Sequence, residues 1–253
     1  MKKYILLLLT VFFSAMLCMA ETIEEQVKKA YDAKDYDTAI SLLEDESEKR
    51  KESGLESADL YYNLGNAYFR DNNLGKAILN YERAALLNPS DREIKTNLEF
   101  AYTKIEDKFA ERGDFFLMDG LNAVQNLAGT NMWATFSVVL FLLFVACLAV
   151  FFFVRNLFTK KAVFYAGIVI FIFLIFTNIF AYRQKSKIEN KDMAIIISKS
   201  VPAYNAPNSS DKEIFVLNPG SKVRIKKEDG DWMEVEIISG DTGWIEQDKL
   251  EII

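Results

Sequence analysis

Residues 132–154, MWATFSVVLFLLFVACLAVFFFV, run for 23 positions without a charge. At about 1.5 Å per residue, a helix of that length exceeds the roughly 30 Å hydrocarbon thickness of a bilayer. Residues 162–182, AVFYAGIVIFIFLIFTNIFAY, form a second such stretch with aromatic residues at both ends, as membrane interfaces prefer. Only RNLFTKK, residues 155–161, separates the two, which predicts a tight transmembrane hairpin. Whatever else the chain builds must fold on one side or the other of that pair.

Lysine and arginine set the orientation. Residues 117–131 carry neither, whereas the short loop carries Arg155, Lys160 and Lys161, so the positive-inside rule puts the loop in the cytoplasm. Arg183, Lys185 and Lys187 beyond the second span balance that loop, and a reversed or re-entrant second span is the competing arrangement. Hairpin geometry and the leader favour both soluble regions outside, in a two-pass inner-membrane protein facing the periplasm. The leader is residues 1–20: Lys2 and Lys3, the apolar YILLLLTVFFSAML, then CMA before Glu21, the pattern of a signal peptide cleaved after Ala20. A lipid-attachment reading would use Cys18, but Leu17 is bulky where such boxes take a small residue. After cleavage Cys147 is the remaining cysteine, so no intramolecular disulfide forms and packing alone holds the fold. Asn178, the one strongly polar side chain within the spans, either bridges to the neighbouring helix or finds water or its own backbone. With no ionisable residue beside it, the second is expected.

The soluble regions are acidic, net −9 over residues 21–131 and −5 over 188–253, and neither offers a basic face to a phosphate backbone. Nucleic acid is therefore not an expected partner. The chain has no histidine and no thiol outside its apolar segments, so the usual acid–base, nucleophile and metal constellations are missing. Carboxylates such as Asp45, Glu46 and Glu48 read as a solvated helix end. A protein without cofactor, metal or catalytic residues is expected, with a Lys- or carboxylate-based enzyme as the competing reading.

Within YYNLGNAYFRDNNLGKAILNYERAALLNP, residues 61–89, the positions of Tyr61, Leu64, Gly65, Tyr68, Ala77, Tyr81, Ala84 and Pro89 resemble a complete tetratricopeptide repeat. Gly65 and Ala77 are small where two antiparallel helices must approach closely, and Pro89 stops the second. One repeat cannot bury its own apolar face, so neighbours are expected. Upstream, Asp35, Tyr36 and Ala39 stand where the good repeat has Asn73, Leu74 and Ala77, although Gln26-Val27 replaces Leu-Gly. Downstream, Leu98 and Tyr102 keep register while Glu99 replaces the glycine, as suits a capping helix. Residues 22–108 thus read as about two repeats and a cap, within a domain spanning 21–110. The resemblance implies a peptide-binding concave surface lined by the first helix of each pair. Its offsets fall on Tyr62, Asn66, Phe69, Arg70, Asn97 and Lys104, whose alternative is an ordinary solvated helix face. A juxtamembrane segment, 111–131, has Phe115, Phe116, Leu117, Leu121, Val124 and Leu127 partly at helical spacing, which fits a helix on the bilayer surface or one packed on the protein.

After a linker, 183–191, alternating runs punctuated by Asn218-Pro219-Gly220, Asp229-Gly230 and Ser239-Gly240 predict five or so strands and a small barrel over 192–253. NPGSKVRI, DGDWMEVEI and GDTGWIEQDKLEII, in that order, resemble a bacterial SH3 domain, although the first loop lacks that family's usual Arg and Ser-Gly-Pro. Trp232 and Trp244 line an aromatic wall for a ligand or belong to the barrel core, and Tyr204, in the long first loop, is expected to be exposed for recognition.

The expected architecture is a multidomain membrane protein: an all-α tetratricopeptide-repeat solenoid, a two-helix transmembrane hairpin and a C-terminal all-β SH3-like barrel. In that order these parts resemble the BatE proteins of the Bacteroides aerotolerance group. The resemblance implies an envelope scaffold in an aerotolerance or envelope-stress complex, with von Willebrand factor A-domain membrane proteins and a MoxR-type ATPase as associates. The alternative is an envelope sensor or anchor whose SH3 domain binds peptidoglycan.

Overall fold

The structure is a computed structural model describing residues 22–105 and 116–253. The expected signal peptide, 1–20, and Phe115 lie outside the described residues.

Each helix of the first unit begins where a short polar side chain can bond its free amides. Thr22 and Glu25 form a reciprocal capping box at the start of α1 (Ile23–Asp32). Asp35 caps α2 (Tyr36–Glu52), Ser57 caps α3 (Ala58–Arg70), Asn73 caps α4 (Leu74–Leu87) and Asp91 caps α5 (Arg92–Tyr102). The α1–α2 and α3–α4 turns are the same device. Lys34 and Asn72 sit in the left-handed region at φ 59° and 63°, and the next amides, Asp35 and Asn73, reach back to the Ala30 and Tyr68 carbonyls at 2.9 Å each. The upstream segment therefore makes the same helical pair without the Leu-Gly signature. Between α3 and α4 the approach is close: a Cβ on Gly65 would meet the Tyr81 ring at 2.5 Å.

A helix α6 (Phe116–Gln125) leads into α7 (Thr130–Phe153) and α8 (Leu157–Glu189), two helices long and apolar enough to cross a membrane. The connection is shorter than the charge pattern implied: only residues 154–156 are non-helical, Asn156 caps α8, and α8 runs on through the expected linker to Glu189. Charges mark where a helix leaves an apolar environment rather than where it ends. Ring pairs Trp133–Phe180 (5.1 Å) and Phe144–Phe171 (5.4 Å) zip the hairpin. Asn178 does more than find its own backbone: its amide donates to Ser137 Oγ across the hairpin as well as to the Leu174 carbonyl, both at 2.7 Å. At the repeat end, Gln125 and Gln184 are buried and bonded to each other at 3.0 Å, and Trp133 Nε1 donates to the Gln125 carbonyl at 2.8 Å. Of the expected apolar stripe, Leu121, Val124 and Leu127 are exposed, while Gln125 at the end of α6 and Ala128 beyond it are buried.

The C-terminal unit is one antiparallel sheet of seven strands: β1 (Met193–Ile196), β2 (Val201–Tyr204), β3 (Glu213–Leu217), β4 (Lys222–Asp229), β5 (Trp232–Glu236), β6 (Thr242–Glu246) and β7 (Leu250–Ile252). The order is β3-β2-β6-β5-β4-β1-β7. Strand β2 lies where a loop was expected, which raises the count above five. All seven strands contribute to a single core, including Leu217 and Leu250 from the two ends of the order, so the sheet curls over its own apolar face.

Strand β1 serves two cores at once. Ala194 and Ile196 enter the sheet core, while Ile195, fully buried, belongs to the core of the repeats. That two-sided burial is why MAIII reads as a continuous apolar run and not as an alternation.

Candidate functional site

The repeat unit opens a groove of about 440 Å³ between α1, α2 and α3, with Val27, Tyr31, Leu43, Leu60, Asn63 and Asn66 among its lining. The six residues predicted from the repeat offsets divide around it. Asn66 lines the groove, but its carbonyl oxygen already accepts from Tyr81 Oη at 2.8 Å and from Asn97 Nδ2 at 3.2 Å. Asn97 also donates to Tyr62 Oη at 2.8 Å. Tyr62, Asn66 and Asn97 are thus a connected network on one face, which leaves the Asn66 amide nitrogen to serve a ligand. Phe69 packs against Phe100 in a tilted pair at 5.7 Å, Lys104 lies over Phe100 at 4.8 Å, and Arg70 is exposed.

Residues of α1 were missed, and the signal for them was present. Moving the offsets of Tyr62, Asn66, Phe69 and Arg70 back through the Lys34–Asn72 equivalence gives Glu24, Lys28, Tyr31 and Asp32, and all four line the groove. The rim is acidic. Glu46 pairs with Arg50 at 2.6 Å, whereas Glu24, Asp32 and Asp59 make no ion pair among the described residues.

A second surface lies on the sheet. Met233, Val235 and Ile245 point into the core, so Trp232 and Trp244, at alternating positions, stand on the outer face, half-buried. Tyr204 belongs to β2 and not to a loop, opposite Trp244 in register. Its ring meets Trp232 edge-on at 5.7 Å. The three aromatics therefore form one cluster. Its neighbouring carboxylates are neutralised locally, Glu234 by Lys227 and Glu246 by Lys249, each at 3.3 Å.

Between repeats and sheet runs a polar seam. Arg83 donates to Glu251 at 3.0 Å and to the Ile252 carbonyl at 2.6 Å, and Lys222 pairs with the largely buried Glu82 at 2.7 Å. Tyr102 donates to the same Glu82, and burial, followed by that carboxylate, pushes its hydroxyl well above the usual tyrosine range. Tyr68 is raised in the same way by burial and by Glu44. The seam uses α4 and the end of α5 and shares no residue with the groove.

A search of curated proteins found no match to this chain. The family models do find two matches: residues 58–91 match the tetratricopeptide repeat, and residues 199–251 match the bacterial SH3 domain. The chain therefore carries these two kinds of domain, joined through a pair of long apolar helices, and strand β1 lies in neither match.

Proposed function

We propose that this protein is a non-enzymatic scaffold of the bacterial inner membrane. The α7–α8 hairpin crosses the bilayer with its short turn in the cytoplasm, and the repeat unit and SH3-like barrel both face the periplasm. The seam supports the same-side arrangement, because units packed through Arg83, Glu82 and Ile195 share one compartment. The open acidic groove carries the reading: its carboxylates and apolar floor suit an extended, basic segment of another envelope protein, and the aromatic face supplies a second contact. An aerotolerance or envelope-stress complex containing von Willebrand factor A-domain proteins is the setting the sequence resemblance favours.

Crosslinking and detergent co-purification from native membranes test this. Asp32→Lys with Asp59→Lys should remove the captured protein, while Lys226→Glu on the sheet should not; capture that survives the groove reversal rules out this docking surface. Cysteines placed at Ser53 and Ser209 should react with an impermeant reagent from outside, and one at Thr159 only after permeabilisation.

A second reading rests on the outer cluster of Tyr204, Trp232 and Trp244, which suits stacking on a cell-wall glycopeptide. Full-length protein should then sediment with peptidoglycan sacculi and lose that property in Trp232→Ala with Trp244→Ala. Failure of the unsubstituted protein to sediment excludes it.

A further inference from the structure

Helix α5 stands in the position of a first helix, and among the described residues no second helix packs beside it. In both preceding pairs a second helix packs beside the first, and the repeat match stops at residue 91, before α5 begins. The flank such a helix would cover is formed by Gly75, Ile78 and Glu82 of α4 together with Tyr102 and Ile105 at the end of α5. The sheet fills it. Ile195 is fully buried in the repeat core, and Ile197 and Ile253 pack on the same cluster. Gly220, at φ 94°, turns so close that a Cβ there would meet Ile78 Cδ1 at 2.7 Å and Ile105 Cδ1 at 3.2 Å. From the other side, a Cβ on Gly75 would meet the Ile196 carbonyl oxygen at 2.9 Å and Ile197 Cα at 3.1 Å. Glu82–Lys222 and Arg83–Glu251 close the edges.

We propose that strand β1 and the Asn218–Gly220 turn cover the flank of α4 and α5, making the SH3-like unit a cap that completes the core of the repeat array. A strand can do this because β1 pairs with β4 on one edge and β7 on the other, so its backbone groups are satisfied while one face of side chains is free for another core. The contact is specific to this chain's sequence: the three atoms nearest a Cβ on Gly75, in the first turn of α4, all belong to Ile196, Ile197 and Pro219. A repeat array needs its end covered by a capping element; here a strand that neither family model includes lies against the last helices. With that flank covered, no further repeat can stack there.

Hydrogen exchange of the full-length protein in detergent micelles, read by mass spectrometry, tests the proposal with two variants. In an uncapped repeat Gly75→Leu replaces a poor helix former and slows exchange in α4. Against β1 the leucine side chain has no room, so exchange in peptides from α4 and α5 should accelerate at least tenfold, with peptides from β2 to β6 within twofold of the unsubstituted protein. Ile195→Ala should accelerate the same α4 and α5 peptides. Unchanged or slower exchange there in Gly75→Leu overturns the proposal, and so does an Ile195→Ala protein whose α4 and α5 peptides exchange normally. Because Gly75 lies outside the sheet, its variant decides the matter even where Ile195→Ala also loosens β1.

Discussion

The two hydrophobic cores of the soluble part are closed in different ways. Every strand of the sheet contributes to one shared interior, and the members of that interior all come from the sheet and the turns that join it. The core of the repeats is built from α1 to α5, and it also buries Ile195, from the chain beyond the hairpin. A sheet that curls over itself is self-sufficient, whereas a stack of helices has an end, and the end has to be covered by something. Dependence should therefore run one way, from repeats to sheet.

Core truncations probe that asymmetry most strongly. Met233→Ala, in the sheet interior, should cost about 2–5 kcal/mol and expose sheet and repeats together, because the repeats lose their cover. Leu64→Ala, in the middle of the repeat core, should cost a similar ~2–5 kcal/mol yet leave the sheet protected. Urea unfolding followed by Trp232 and Trp244 fluorescence, together with exchange in the repeat peptides, separates the two; a Leu64→Ala protein that loses both signals at once breaks the asymmetry. The seam comes next. Arg83→Ala removes a mostly buried guanidinium with two acceptors and should cost roughly 1.5–3 kcal/mol, while Arg50→Ala, from a half-buried pair within α2, should cost less, about 0.5–1 kcal/mol, in the same assay.

Alkaline pH sharpens the same comparison. Tyr102 keeps its proton in the folded protein above its ordinary value of 10.0, whereas the unfolded chain releases it there. The unfolded state then binds fewer protons than the folded state, so stability falls as pH rises above about 10, by up to ~1.4 kcal/mol per pH unit for each such tyrosine. Below that pH the group contributes no slope. Tyr102→Phe should flatten the decline, measured as urea midpoints between pH 9 and 11; an unaltered slope would mean that Tyr102 ionises freely at the seam. The smallest effect belongs to the outer face, where Trp244→Phe should change stability by no more than about 1 kcal/mol, since the residue stands off the core.

What could be read in advance follows from how far apart the interacting residues are in the chain. The repeat from Tyr61 to Pro89 was legible because its spacing carries its own packing, Gly65 against Tyr81 included. The apolar helices were legible from composition, though their ends were not, because Asn156 and the polar tail of α8 obey capping and not hydropathy. Tyr204 was misplaced because its strand is four residues long and contains Pro202, a weak β signal. On the sheet, the alternation that sends Met233 inward was visible, and it decides between the two placements open to Trp232 and Trp244. The groove residues on α1 were within reach once the two turns were recognised as equivalent. The seam was not, since Gly75 and Ile196 acquire meaning only when the chain returns from the hairpin; the unbroken MAIII run was its one advance sign.

That return also sets a clock. The ribosome finishes Tyr102 long before it reaches Ile195, and at about 5–20 residues per second the interval lasts roughly 5–20 s. Throughout it Ile78 and Tyr102 have no β1 to lie against, so a stalled or truncated product displays a sticky helical flank to chaperones and proteases. Only a chain translated beyond β1 and the Asn218–Gly220 turn can hide that flank, which ties concealment of the repeat core to synthesis of the sheet.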